Sequence, residues 1–186
     1  MYYYGNRMQK YFIISLIIFS AFFPGLLRAQ ASAEKINWLT FQQAVELAKK
    51  NPRKILIDVY TDWCGWCKKM DAETFTHPVI VRYINENFYA VKFNAEQHED
   101  VVFQNHTFRF VNNGGRGYHE LAAALLNNQL SYPSMAYLDE NLQLLGAIPG
   151  FRQAKDLEPI LKYIREDVYK KMAYDKFLQT FQGQVR

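Results

Sequence analysis

Apolar and polar residues alternate along this chain in a way that predicts strands and helices taking turns. Ile36-Asn37-Trp38-Leu39 reads as a short extended lead-in. Phe41, Ala44, Val45 and Ala48 then recur at helical spacing, behind Thr40 and Gln43, which form a capping-box pattern. Asn51-Pro52 ends that helix. Ile55 to Tyr60 is almost continuously apolar, as expected of a central strand buried on both faces. Cys64 to about Phe75 fits a helix with Lys68, Lys69, Asp71 and Glu73 on wet positions. Thr76-His77-Pro78 breaks it and starts another, with His77 in the capping turn and Pro78 where a missing N–H costs nothing. Val79, Ile80, Tyr83 and Ile84 continue that helix, and Phe88 to Asn94 alternates as a second strand. Met135 to Leu138 is a third strand, and Leu142 to Ile148 pairs with it across the turn Asp139-Glu140-Asn141. Phe151 to Val168 gives a last amphipathic helix, and the aromatic, basic tail 169–186 packs back as a helical extension.

Between these elements lies a long connection, residues 95–131. Val101, Val102, Phe103, Phe108 and Phe110 suggest a helix or helical pair, and Tyr118 to Leu126 another. Asn112-Asn113-Gly114-Gly115-Arg116-Gly117 has neither the Lys-Ser/Thr ending nor the preceding strand of a phosphate-binding loop, so it reads as a flexible turn.

The N-terminus changes how the charge is counted. Arg7 and Lys10 precede the apolar run Tyr11 to Phe23, which is followed by Pro24-Gly25 and Ala29-Gln30-Ala31, the pattern of a secretory signal peptide cleaved after Ala31, with Ala29 and Ala33 as neighbouring sites. An uncleaved membrane anchor is the alternative, although Pro24-Gly25 cuts the run short of the roughly 20 residues a bilayer needs. The formal charge is +4, but Arg7, Lys10 and Arg28 fall in residues 1–31 and no acid does, which leaves +1 for the remainder. A basic-patch argument for nucleic acid therefore fails. The remaining residues suffice for one domain with a real core, and 16% aromatic content suits burial.

The chemistry gathers in Asp58-Val59-Tyr60-Thr61-Asp62-Trp63-Cys64-Gly65-Trp66-Cys67-Lys68-Lys69, which holds the only two cysteines of the chain. A helix starting near Cys64 places that sulfur over unsatisfied N–H groups and the positive end of the helix dipole, which favours thiolate. Cys67, one turn on, faces the same way, so a thiolate that attacks a substrate disulfide has a second thiol in reach to displace it. A purely structural bridge gains little, because two intervening residues close almost no loop. A zinc site would need more ligands, and His77, His98, His106 and His119 are scattered. Asp58 interrupts a buried strand and needs a partner or a job; a strand-end aspartate open to water is the alternative.

This stretch resembles the active site of the thioredoxin superfamily, in a Trp-Cys-Gly-Trp-Cys-Lys variant, and Tyr132-Pro133-Ser134 and Gly150 fall where the family has later landmarks. The likeness covers roughly Trp38 to Val168. It implies that Asp58 is the buried acid that exchanges a proton with the second cysteine, and that Lys92 lies close to it. A solvated lysine at a strand end remains the alternative for Lys92. It also implies that Pro133 is a cis-proline against the dithiol, and that Gly150 lies near the substrate groove. Against the family pattern, residues 95–131 are longer by about twenty, and Gly-Trp stands where reducing thioredoxins have Gly-Pro.

The expected architecture is α/β: a thioredoxin-like central mixed sheet flanked by helices, with a helical insertion at 95–131 before the Pro133 strand. The expected domains are a signal peptide (1–31), the thioredoxin-like domain (32–168) and a C-terminal helical extension (169–186). The expected function is an exported thiol–disulfide oxidoreductase, periplasmic or secreted, that reduces or isomerises protein disulfides. Cys64 attacks, Cys67 resolves, Asp58 handles the proton with Lys92 beside it at the catalytic site, and Trp63, Gly65, Trp66, Tyr132, Pro133 and Gly150 bind substrate. No metal, nucleotide or flavin is implied, only a redox-active disulfide; electrons would come from a membrane or exported dithiol protein. The alternatives are a non-catalytic chaperone or binding module and a copper-handling protein using Cys64, Cys67 and a histidine.

Overall fold

The computed structural model describes residues 34–112 and 114–186. The expected leader and its cleavage site lie outside them. In chain order the elements are β1 (Trp38–Leu39), α1 (Phe41–Lys50), β2 (Ile55–Tyr60), α2 (Gly65–Glu73), α3 (Pro78–Asn87), β3 (Tyr89–Asn94), β4 (Val101–Phe103), β5 (His106–Phe108), β6 (Phe110–Val111), β7 (Tyr118–His119), α4 (Glu120–Leu125), β8 (Ser134–Leu138), β9 (Leu144–Pro149), α5 (Ala154–Arg165) and α6 (Tyr174–Thr180), with a 3-10 turn at Val168–Lys170 before α6. Among them no helix is long and apolar enough to cross a membrane.

Five strands form a mixed sheet in the order β1-β3-β2-β8-β9. β3 runs parallel to β1 and β2, whereas β8 is antiparallel to both β2 and β9. β2 occupies the centre because Ile55, Leu56, Ile57 and Val59 can be buried on both faces at once, each worth roughly 1.5–3 kcal/mol when withdrawn from water. One face packs Ile55, Ile57 and Val59 against α1 and α4 through Phe41, Ala44, Val45, Leu121 and Leu125. The other packs Leu56, Ala90, Met135 and Tyr137 against α2, α3 and α5 through Met70, Ile80, Ile84, Leu157 and Leu161. Asp58 has the parity of Leu56 and so belongs to the α2 side.

Local signals set the helix starts. Thr40 caps α1 with the reciprocal Gln43 bond, and His77 Nδ1 accepts the Val79 N–H ahead of Pro78.

The connection departs from expectation. Residues 101–111 are extended, not helical. β4 and β5 form a hairpin in which Phe103 pairs with His106, turned by Gln104 and Asn105 at φ 50° and 63°. β6 and β7 form a second hairpin. Alternate residues Val101 and Phe103 face the α1 side of the core, so a period of two has won over the helical reading. Helix is confined to α4. The tail does pack back, but as the separate helix α6. Tyr163 meets Tyr174 and Phe177, and the buried carboxylate of Glu158 accepts the Gln184 and Val185 N–H groups.

Candidate functional site

The site sits where β2 ends and α2 begins. Cys64 and Cys67 are joined in a disulfide. Cys64 is the N-cap of α2, and its sulfur accepts the Cys67 N–H at 3.0 Å. The turn into the helix is tied by Cys64 N–H donating to Thr61 O. A sulfur at this position faces the N–H groups and positive dipole end of a nine-residue helix, which stabilises the thiolate once the bridge is reduced.

Two exposed indoles flank the bridge, Trp63 at 50% and Trp66 at 58% exposure. Trp63 donates its Nε1–H to Glu96 at 2.8 Å and meets Tyr132 edge-to-face at 6.1 Å. Trp66 lies against Phe151, with Lys69 over both rings. Pro133 follows a cis peptide bond after Tyr132, and its carbonyl accepts the Gly150 N–H at 2.7 Å. Gly150 adopts φ +89°, where a side chain would be strained. A Cβ on Gly65 would meet nothing within 4 Å, so sterics do not demand glycine there. Burial, and then the negative charge of Glu96, pushes the Tyr132 phenol up to about 12.

On β2, Asp58 is 1% exposed. Its Oδ2 accepts from Lys92 Nζ at 2.5 Å, and Oδ1 is buried with no hydrogen-bond partner among the described residues. Burial outweighs the Lys92 charge and pushes the Asp58 carboxyl up to about 6. Lys92 experiences the opposite balance. Burial pulls it down, but Asp58 and Asp71 outweigh that and hold its ammonium above the usual lysine range. The water-exposed alternatives for Asp58 and Lys92 at a strand end do not describe these positions.

Three residues that engage Lys92 or Trp63 were not singled out by the sequence. Asp71, expected simply on the wet side of α2, also takes a hydrogen bond from Lys92; its place four residues after Cys67 was the available signal. Glu96 and Arg116 both engage Trp63, with the Arg116 guanidinium 4.8 Å from its ring centroid. Nothing local in the sequence marks either pairing. Among the described residues no group of three or more His, Cys, Asp or Glu side chains is placed to hold a metal ion.

Comparison with known proteins follows the same lines. The family Thioredox_DsbH, described as a protein of unknown function, DUF255, matches residues 24–178. Spermatogenesis-associated protein 20 of Mus musculus is 32% identical over 90 residues, 48% of this chain and 11% of that protein. The thiol:disulfide interchange protein DsbD of Pectobacterium atrosepticum is 27% identical over 66 residues, 34% of this chain and 11% of that protein. The chain thus aligns with only about a tenth of the length of these curated relatives. A solved structure of a DsbH oxidoreductase superposes with a TM-score of 0.52 at 17% identity, covering 72% of this chain and 87% of that one. With its mixed sheet and its Cys64–Cys67 bridge at the head of α2, the chain belongs to the Thioredox_DsbH family, within the thioredoxin superfamily of redox proteins.

Proposed function

We propose that this chain is an exported thiol–disulfide oxidoreductase that reduces or isomerises disulfides of protein substrates. One observation carries the reading: the bridged pair Cys64–Cys67 spans the N-cap and first turn of α2, between two exposed indoles. In the reduced protein, the Cys64 thiolate bonds to one sulfur of a substrate disulfide and releases the other. Cys67 gives its proton to Asp58, bonds to Cys64 and frees the second substrate sulfur. Two electrons pass to the substrate, and its sulfurs end as thiols. Trp63, Trp66, Tyr132 and the Pro133 carbonyl edge provide the docking surface. Electrons return from a membrane or exported dithiol protein, a reading supported by the similarity to DsbD. Export rests on the leader pattern of residues 1–31. The hairpin loop between β6 and β7, which lays Arg116 on Trp63, contributes to partner choice.

The deciding test is reduction of a protein disulfide by the dithiol form, with the potential of the pair measured in a glutathione series through indole fluorescence. A potential near −270 mV fits a reductase, and one near −120 mV an oxidant of newly exported proteins. Cys67→Ser should accumulate a mixed disulfide on Cys64. No turnover of any protein or small disulfide would leave the binding-module reading in its place.

A further inference from the structure

Lys92 reaches from β3 to two carboxylates on different elements, Asp58 on β2 and Asp71 on α2. Its ammonium is enclosed by the rings of Tyr60, Trp38 and Phe75 at 4.8, 5.2 and 5.5 Å. Asp71 follows Cys67 by four residues, so it lies one turn further along the same face of the dithiol helix. Side-chain exposure rises from Asp58 at 2% through Lys92 at 22% to Asp71 at 43%.

We propose that Asp71 is a positioning residue for the exchange reaction: by sharing the Lys92 ammonium, it prevents that cation from fully neutralising the buried Asp58 and so helps Asp58 to take the proton of the resolving cysteine. The inference rests on the oxidoreductase reading and specifies how its proton acceptor is set. A carboxylate paired one-to-one with a lysine a hydrogen bond away is normally pulled below its ordinary range. Asp58 is instead raised; burial is the main cause, the Lys92 charge and hydrogen bond oppose it, and the Asp71 charge adds to the rise. The groups electrostatically coupled to Asp58 are Lys92 on β3, Asp71 on α2, Tyr60 on its own strand and Tyr137 on β8. Both phenols are pushed up, burial being the main cause, and stay neutral. Lys92 is thus the lone cation of the set and Asp71 its second claimant. In the resolving step the proton leaves Cys67 Sγ for Asp58, Cys67 bonds to Cys64 Sγ, and the substrate sulfur departs with the bonding pair. The proton then passes to solvent or to that sulfur.

The experiment is a carbon-13 titration of the Asp58 carboxyl in the full chain, disulfide form, comparing wild type with Asp71→Asn. The expected result is a midpoint lower by about half a pH unit or more, with Asp71→Glu restoring most of the wild-type value. Glu73→Gln, on the same helix and facing Lys69 rather than Lys92, should leave it in place. An unmoved midpoint in Asp71→Asn, or an equal shift in Glu73→Gln, overturns the proposal. The titration needs no turnover, so a wild-type chain that reduces no disulfide would count against the oxidoreductase reading alone.

Discussion

Arg116 lies over Trp63, its guanidinium carbon 4.8 Å from the ring centroid, while the indole N–H is held by Glu96. A residue from the added connection therefore touches the residue next to the attacking cysteine. Gly114 to Gly117 form the outer bend of the hairpin that places it.

Arg116→Ala should change the ranking of protein substrates by about two- to fivefold in kcat/KM, the equivalent of an exposed cation–π contact of roughly 0.5–1 kcal/mol. Reduction of a small aromatic disulfide should be unaffected. Removing residues 112–117 should enlarge the first effect without adding the second. Parallel loss on both substrate classes would show that the loop supports the site rather than selecting partners.

Asp58→Asn should stabilise the protein at neutral pH. The folded-state carboxyl is raised from the ordinary 3.8 to about 6, chiefly by burial and against the pull of Lys92. The native state therefore holds the proton more tightly than the unfolded chain, and stability falls as pH rises from about 4 through 6. At pH 7 this amounts to about 3 kcal/mol at most. Urea unfolding should show the gain at pH 7 and its loss by pH 4, while the resolving step slows.

Lys54 is fully buried just before β2, paired with Glu140 at 2.8 Å and Asp167 at 3.0 Å. Both carboxylates are about one-third exposed, so they can turn to water if the lysine is removed. The ammonium cannot. The double change Glu140→Gln with Asp167→Asn should therefore cost more, about 3–5 kcal/mol, than Lys54→Met. Unfolding midpoints in the reverse order would contradict this account.

Gly117 sits at φ +72°, and a Cβ there would lie 2.2 Å from Phe110 Cζ and 2.6 Å from Val111 O. Gly117→Ala should cost at least about 1–2 kcal/mol and displace Arg116. A changed Trp63 fluorescence spectrum would report the displacement, and an unaltered spectrum with full stability would rule it out.

Much of the frame was legible because its signals are local. Thr40 with Gln43, His77 with Pro78, the unbroken apolar run of β2 and the paired cysteines each specify an element from within a few residues. The strands of 101–111 were not legible, because five apolar residues in ten positions fit both periods; the turn at Asn105, where φ is positive, was the overlooked cue. The pairing of Lys54 with Glu140 and Asp167 is illegible for another reason. Partners 86 and 113 positions away leave no trace in local pattern. Asp71 falls between these cases: its spacing from Cys67 was visible, but its cation lies on another strand.

The cluster of Asp58, Lys92 and Asp71 contains an odd number of charges, two negative and one positive when ionised. It therefore carries −1 at rest and becomes neutral on gaining one proton. When Cys67 surrenders its proton to this cluster, the negative charge moves from carboxylate to sulfur and the sum stays constant. No net charge enters or leaves the interior in that transfer, and the negative charge departs only afterwards with the released substrate sulfur, so added salt, which weakens interactions between exposed charges, should slow the docking of a charged partner while leaving the internal proton transfer at the same speed.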